Sequence, residues 1–574
     1  MKSKIVLLIA IIQTAFASYS QILVNPPSAA NQDWQWSKYQ YCILSNPNCL
    51  STDPQGNVIE TGYFKCTSIN LDNTIEHLLS NCMQNDEDIF VLKYNPSGKI
   101  QWVSCMHGWG KDNPGAICTD SYSNIYVAAF YDGPHIIVES TKVQSGGTRN
   151  MFLTKYNSLG KVVWSFSNNL TSHTIPTAMS NANNGLVLAG YFNDTAVFLG
   201  TNYYKANVLS EDVFVAKYNY SGQTLWAKAY GSTGEERILS VSCDKQGYTF
   251  LTGYFKSSNL IFGNDTLYRG NASVASFIAM LDSNGNEMWA KVLPNNLSNM
   301  QSSAVTTDHK GAFYLSGYFN GKFLNYGGIQ LANVDTSGSS SDVFYAKFDV
   351  NGALLNIKSF GSINDDKSTA ISYGKELSIA GNFSGPQMLM GSNTIINDQS
   401  GTNDIFLTKI DSAGNVKSTL TAGGALNDEI YCLAADAYGN DYVMGYFYDN
   451  SIVMKDILKS LCSPCKNNFV TKAGLNKLDV NNNNNNNNTT GISGIDQPEN
   501  SLAIFPNPAS SIIIIQNITI GSYICIKDLL GRTCILTKSD ANTMQVNLQD
   551  LNVGLYYLEI QNKDSSKVVK FIKE

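Results

Sequence analysis

The sequence predicts an all-β protein: a ring of seven like modules, followed by a small separate β-domain. Three observations lead there. A motif seen at Asp212–Trp226, DVFVAKYNYSGQTLW, recurs with its Phe at Phe90, Phe152, Phe214, Phe277, Phe344, Phe406 and Phe469, at intervals of 62 to 67 residues. A period that regular marks a repeat architecture. Most copies run from an apolar stretch into Asn or Asp and then Gly, as in Asn219/Gly222 and Asp349/Gly352, which supplies the side-chain hydrogen bond and the positive φ of a tight reversal. Charged residues are only 15% of the chain, while Gly (45) and Tyr (31) abound, a composition of short strands and turns.

In chain order, Lys2 and Lys4 precede the apolar run Ile5 to Ile12 and then Ala15-Phe16-Ala17. A basic start, a short apolar core and an A-x-A site predict a secretory signal peptide over residues 1–17, too short for a stable membrane span. No later run is apolar enough to cross a bilayer.

The repeat region is expected over residues 21–478. A second landmark, G-Y-F or a variant, begins at Gly62, Ala129, Gly190, Gly253, Gly317, Gly381 and Gly445, and a Trp follows the Phe in four copies, at Trp102, Trp164, Trp226 and Trp289. One module then reads as four strands, for example Ile238 to Asp244, Tyr248 to Phe255, Val213 to Tyr218 and Thr224 to Tyr230. Four-stranded sheets repeated around a centre are propeller blades. The array's ends complement each other: Phe469 to Lys472 lacks a following Trp strand, while Trp36-Ser37-Lys38 resembles Trp226-Ala227-Lys228 and lacks a preceding one. The expectation is a seven-bladed β-propeller whose N-terminal strand completes the last blade and protects the sheet edges. Residues such as Leu260 to Leu267 add a small hairpin to each module.

An Asn tract, Asn481 to Asn488, buries nothing and predicts a flexible linker over residues 479–497. The last segment, 498–574, alternates short apolar strands with turns, which reads as a small β-sandwich.

These motifs resemble two known families. The G-Y-F, F-x-x-K-[YF]-[ND]-x-x-G and Trp landmarks are similar to the secreted bacterial β-propeller repeat family, although Met280 replaces the Lys and Asn356 and Ser418 replace the Trp in individual copies. The tail, with Pro506-Asn507-Pro508, the D-L-L-G-R turn ending at Gly531 and Arg532, and Gly554-Leu-Tyr556-Tyr, resembles the C-terminal sorting domain of the type IX secretion system. That resemblance implies a Gram-negative exporter, contact with the secretion machinery, and a place outside the cell or on the outer-membrane surface.

Candidate sites are few. The formal net charge of −7 argues against nucleic-acid phosphates as a partner. Five His occupy unrelated repeat positions, and neither H-E-x-x-H nor G-x-S-x-G occurs. Of twelve Cys, Cys42/Cys49, Cys66/Cys82, Cys462/Cys465 and Cys525/Cys534 are candidate disulfide pairs, Cys118, Cys243 and Cys432 read as buried thiols, and no metal set accompanies the C-x-x-C. Asp282 to Glu287 has a superficial likeness to part of a calcium loop but coincides with a repeat turn.

The more informative pattern is a set of acids entering the predicted inner strands: Glu235-Glu236, Asp365-Asp366, Asp428-Glu429, and Asp112 in a comparable place. Around a ring these make an acidic rim, which either solvates turns or collects a cation such as calcium, or a basic or hydroxyl-rich ligand. The functional expectation is a secreted or cell-surface binding or adhesion module for carbohydrate or protein. A glycoside hydrolase or lyase using loop carboxylates, and a structural surface component, are the alternatives.

Overall fold

A computed structural model describes residues 32–41, 45–65, 68–71, 75–78, 86–144, 149–167, 173–193, 197–199, 202–204, 206, 210–294, 299–397, 399–448, 451–454, 457–459, 466–475, 503–505, 512–516, 518–528, 532–552, 554–561 and 566–573. All regular structure among them is β, with no helix and therefore none long and apolar enough to cross a membrane. The chain divides into two compact units, 1–481 and 482–574.

Among the described residues, the first unit holds seven larger antiparallel sheets, five of four strands and two of six, in a propeller-like fold. The third sheet is typical: Thr174–Ala182, Gly185–Phe192, Asp212–Tyr218, Thr224–Tyr230. The innermost strands of the seven are Ser45–Thr52, Asp112–Thr119, Thr174–Ala182, Glu236–Cys243, Asn299–Thr307, Asp366–Tyr373 and Asp428–Ala435. Each packs on the next, and the last packs on the first. Hydroxyls stitch them, with Thr119 Oγ1 donating to the Thr52 carbonyl at 2.7 Å and Thr52 Oγ1 to that of Ala435 at 3.0 Å.

In the seventh sheet the fourth strand from the innermost is Gln32–Tyr41, paired antiparallel with Asn467–Leu475 and, on its other edge, with Ser68–Leu71. Trp36 stands opposite Lys472, as Trp226 stands opposite Lys217 in the third sheet.

The repeated residues join one sheet to the next. The indoles of Trp36, Trp102, Trp164, Trp226 and Trp289 donate to the carbonyls of Pro96, Ser158, Tyr220, Ser283 and Val350 in the hairpin turn of the following sheet, at 2.9 to 3.3 Å. Lys93, Lys155, Lys217 and Lys472 of F-x-x-K reach the same turns. The turn glycine must be glycine for two reasons: at Gly285 φ is +81°, and a Cβ would lie 2.6 Å from the Trp226 ring. Where Asn356 replaces the Trp, the Tyr345 hydroxyl donates to the Gly414 carbonyl at 2.5 Å. Where Ser418 does, Lys409 Nζ takes the Gly439 carbonyl at 2.9 Å. Of two buried ion pairs, both at 2.8 Å, Lys409–Asp441 joins the sixth sheet to the seventh, and Lys93–Asp53 ties the third strand of the first sheet to the turn after its innermost strand.

The second unit has a three-stranded sheet, Ala503–Phe505, Ile512–Gln516 and Thr543–Asn547, and a four-stranded one, Thr533–Lys538, Tyr523–Lys527, Gly554–Gln561 and Ser566–Lys573. Ile513, Ile515, Ile524, Ile526, Leu558 and Phe571 form their shared core.

Candidate functional site: the channel mouth

A channel of about 610 Å³ runs between the innermost strands, and a cavity of similar size opens where those strands begin. Tyr63, Asn113, Phe130 and Ile175 line this mouth cavity, and the register gives their counterparts in the other sheets. The middle residue of each G-Y-F pairs near the start of its sheet's innermost strand, with the third residue in the fifth sheet and the second in the others: Tyr63 with Asn46, Phe130 with Asn113, Tyr191 with Ile175, Tyr254 with Arg237, Tyr318 with Gln301, Asn382 with Lys367 and Tyr446 with Glu429. Six of the seven G-Y-F positions are aromatic, whereas the innermost-strand partners span apolar, amide, cationic and anionic types. Tyr63, Phe130, Tyr191, Tyr254 and Tyr318 are half-exposed.

Charged groups cover these rings. The Arg237 guanidinium lies 3.4 Å from the Tyr191 ring centroid and pairs with Glu211. Lys367 stands 5.3 Å from Tyr318. Lys466 sits 4.2 Å from the Tyr446 centroid and donates to the Tyr431 hydroxyl at 2.8 Å. Glu235 accepts from the Tyr254 hydroxyl and from Lys256, both at 2.6 Å. Burial works to raise the Glu235 pKa, but those donors and the Arg237 charge outweigh it and hold the carboxyl below its ordinary value.

The acids expected to form one solvated rim separate into two environments. Asp112, Glu236, Asp366 and Asp428 head innermost strands and are buried, whereas Glu235, Asp365 and Glu429 keep solvent contact. The cause is strand geometry. Asp366 pairs with Phe383, the last residue of its G-Y-F strand, and Asp112, Glu236 and Asp428 pair with the equivalent Tyr131, Phe255 and Phe447. Their side chains therefore enter the joint between sheets, and neighbours along a strand face opposite ways.

Each buried acid meets another at the head of the preceding sheet's third strand, so that Asp88, Asp212 and Asp342 act on Asp112, Glu236 and Asp366. Burial, helped by these charges, pushes Asp112 up to about 9 and Asp366 up to about 8. Burial raises Glu236 too, opposed by the Ser257 hydroxyl and the Ser232 N–H. Among the described residues, no carboxylate lines the mouth cavity or the channel. No three of the described His, Cys, Asp and Glu side chains gather tightly enough to hold a metal by themselves.

Cys49, Cys118, Cys243 and Cys432 line the channel, none of them in a disulfide. Burial raises the pKa of all four, Cys243 to about 11 and Cys432 to about 12, which keeps them protonated and weakly nucleophilic. Cys42, Cys66, Cys82, Cys462 and Cys465 lie outside the described residues. The candidate bond between Cys525 and Cys534 is absent. Both are free, because Cys525 stands opposite Leu536 in the ladder and its thiol meets Thr533 Oγ1 instead. The segment Asp282 to Glu287 is a repeat turn: Asp282 Oδ1 accepts the N–H groups of Asn284 and Asn286, and Glu287 is taken by Tyr230 and Lys228.

In the second unit, Gly554 heads a strand, and Tyr556 is buried against Phe571 with its hydroxyl donating to the Asn552 carbonyl. Pro506, Asn507, Pro508 and Gly531 lie outside the described residues.

Residues 503–574 match the secretion system C-terminal sorting domain. The chain thus carries a type IX sorting domain, which makes it a protein secreted or displayed at the outer-membrane surface and implies interaction with that pathway's machinery. An uncharacterised WD repeat-containing protein of Acanthamoeba polyphaga mimivirus is 22% identical over 343 residues, covering 47% of this chain and 24% of that protein. The chain therefore spans about a quarter of this curated relative. Among solved structures, PorZ, a surface component of the type IX system of Porphyromonas gingivalis, shows 10% identity over 93% of this chain and 100% of that one, with a TM-score of 0.18. Sqt1 from Chaetomium thermophilum shows 9% identity over 75% of this chain and 100% of that one, with a TM-score of 0.36. Neither superposes well enough to carry a functional inference.

Proposed function

We propose that the first unit is a seven-bladed β-propeller closed by its N-terminal strand, and that it serves outside the cell as a binding module for carbohydrate through the channel mouth. The second unit is read as a β-sandwich address. The observation that carries this reading is the near-constant aromatic position beside a position that takes six residue types across the seven sheets. Half-exposed rings with hydrogen-bonding groups between them suit the apolar faces and hydroxyl edges of sugars. An enzyme built on loop carboxylates would need two of them about 5 to 10 Å apart facing a shared pocket, and the carboxyls described above face the sheet joints or are held by Lys256, Tyr254 and Asn403.

The test is a panel of soluble polysaccharides titrated into the purified chain, with reducing-end release followed in parallel. Tyr191→Ala combined with Tyr254→Ala should weaken the best-bound polysaccharide about 10-fold, in line with about 0.5–1.5 kcal/mol per aromatic contact, and leave the melting temperature within a few degrees. Hydrolysis of any panel member, or unchanged binding by the variant, overturns the reading.

A further inference from the structure

The joints between successive sheets follow a rule that the loop sequences do not announce. The head of each third strand and the head of the next sheet's innermost strand form one pair per joint: Asp88/Asp112, Asn150/Thr174, Asp212/Glu236, Ala275/Met300, Asp342/Asp366, Asp404/Asp428 and Asn467/Ser45. Acids occur as pairs or not at all. Four joints hold two carboxyls and three hold two uncharged residues. Two buried carboxyls repel each other unless protons, donors or a cation intervene.

The joints differ in what intervenes. At the fifth–sixth joint, Asp366 accepts the Ser362 N–H, the Ser362 hydroxyl at 3.0 Å and the Ser384 N–H at 3.3 Å. At the third–fourth joint, Glu236 accepts the Ser232 N–H at 3.2 Å and the Ser257 hydroxyl. At the first–second joint the serine hydroxyls are missing. Gly108 takes the place of Ser362 and Ser232, four residues before the strand head, and Asp132 takes the place of Ser384. Asp112 is completely buried, and neither of its carboxyl oxygens makes a well-formed hydrogen bond, although the Asp132 N–H eases its charge. It also faces further negative charge, from Asp88, Asp132 and Asp86. Arg149 pairs with Asp132 at 3.5 Å. A Cβ on Gly108 would lie 2.8 Å from Asp112 Oδ2 and 2.9 Å from the His135 carbonyl oxygen, so a carboxylate and a carbonyl oxygen flank the space that this glycine leaves open.

We propose that the joint between the first and second sheets is a calcium site, with Asp112 and Asp88 as inner carboxylate ligands, the His135 carbonyl beside them, and Asp132 and Asp86 at its solvent-facing edge. Calcium takes six to eight oxygens in irregular geometry, carbonyls and waters included, so a pair of carboxylates suffices where three acidic side chains do not converge. Magnesium's demand for a near-ideal octahedron fits this mixed set poorly. The ion replaces at this joint what Ser362 and Ser384 do at the other, and it bridges two sheets of the ring. It requires nothing of the carbohydrate reading.

The experiment uses the full chain stripped with a chelator. Calcium is titrated by calorimetry and by thermal melting, and Tb³⁺ luminescence is excited through Trp109, whose backbone adjoins Gly108. The wild type should bind calcium and melt at higher temperature with it. Asp112→Asn should abolish the calcium-induced shift while melting above the metal-free wild type, because an amide avoids the cost of burying an ionisable carboxyl there. Asp132→Asn, on an exposed loop, should bind at least about 10-fold more weakly, which keeps the test open if the first variant misfolds. Asp366→Asn should respond like the wild type. No response in the wild type, a full response in Asp112→Asn and Asp132→Asn, or loss of the response in Asp366→Asn would each overturn the site.

Discussion

The two ends of each sheet make opposite use of repetition. At the hairpin end, copy after copy spends the same residues, Trp, Lys and the turn glycine, on the next sheet's carbonyls, and where the Trp is lost Tyr345 or Lys409 makes an equivalent bond. At the mouth, the aromatic persists while its innermost-strand partner changes from Asn113 to Ile175, Arg237, Gln301, Lys367 and Glu429. Constancy at one end serves construction, and variation at the other is available for recognition.

The strongest way to break this contrast is at ring closure. Deleting Gln32–Tyr41 removes the fourth strand of the seventh sheet, including the Trp34 and Trp36 indoles that reach Thr421 and Pro96. The account expects loss of the cooperative melt by circular dichroism, and an unchanged melt would show that the closing strand is dispensable.

A smaller effect is expected at a single joint. Trp226→Ala removes an indole lying over Gly285 and the bond to Ser283, and should lower stability in urea by about 2–3 kcal/mol, below the full cost for a buried Trp because this one is half-buried. Polysaccharide binding under folding conditions should persist.

The smallest effect concerns pH. Burial raises Asp366 to about 8 and Asp342 to about 7, while both ionise near pH 4 in an unfolded chain. Between those values the folded state binds more protons, so this pair's contribution falls as pH rises from about 4 to about 8. Asp366→Asn should flatten that decline in Tm against pH. A profile as steep as the wild type's would remove the pair from the account.

Much of the construction was legible because repetition reveals it. The all-β class, the F-x-x-K strand and the resemblance of Trp36-Ser37-Lys38 to Trp226-Ala227-Lys228 all follow from aligning copies, and the ladder places Trp36 opposite Lys472. The mouth was harder to read. The Tyr of G-Y-F registered as a strand landmark, since nothing local tells which end of a strand opens on a cavity. The acidic doublets were read as a rim because charge at a loop is usually solvated. Their burial depends on a partner 24 residues upstream, as Asp342 is to Asp366, and that pairing shows only when the strand heads are compared joint by joint.

The most direct test of the contrast measures both properties on one pair of variants. Tyr191→Ala with Tyr254→Ala, and Trp226→Ala, are each assayed for urea stability and for affinity toward the polysaccharide the wild type binds best. The account predicts that the first loses affinity at wild-type stability and the second loses stability at wild-type affinity. Loss of both properties in either variant, or affinity unmoved by the mouth substitutions, would contradict the separation of construction from recognition.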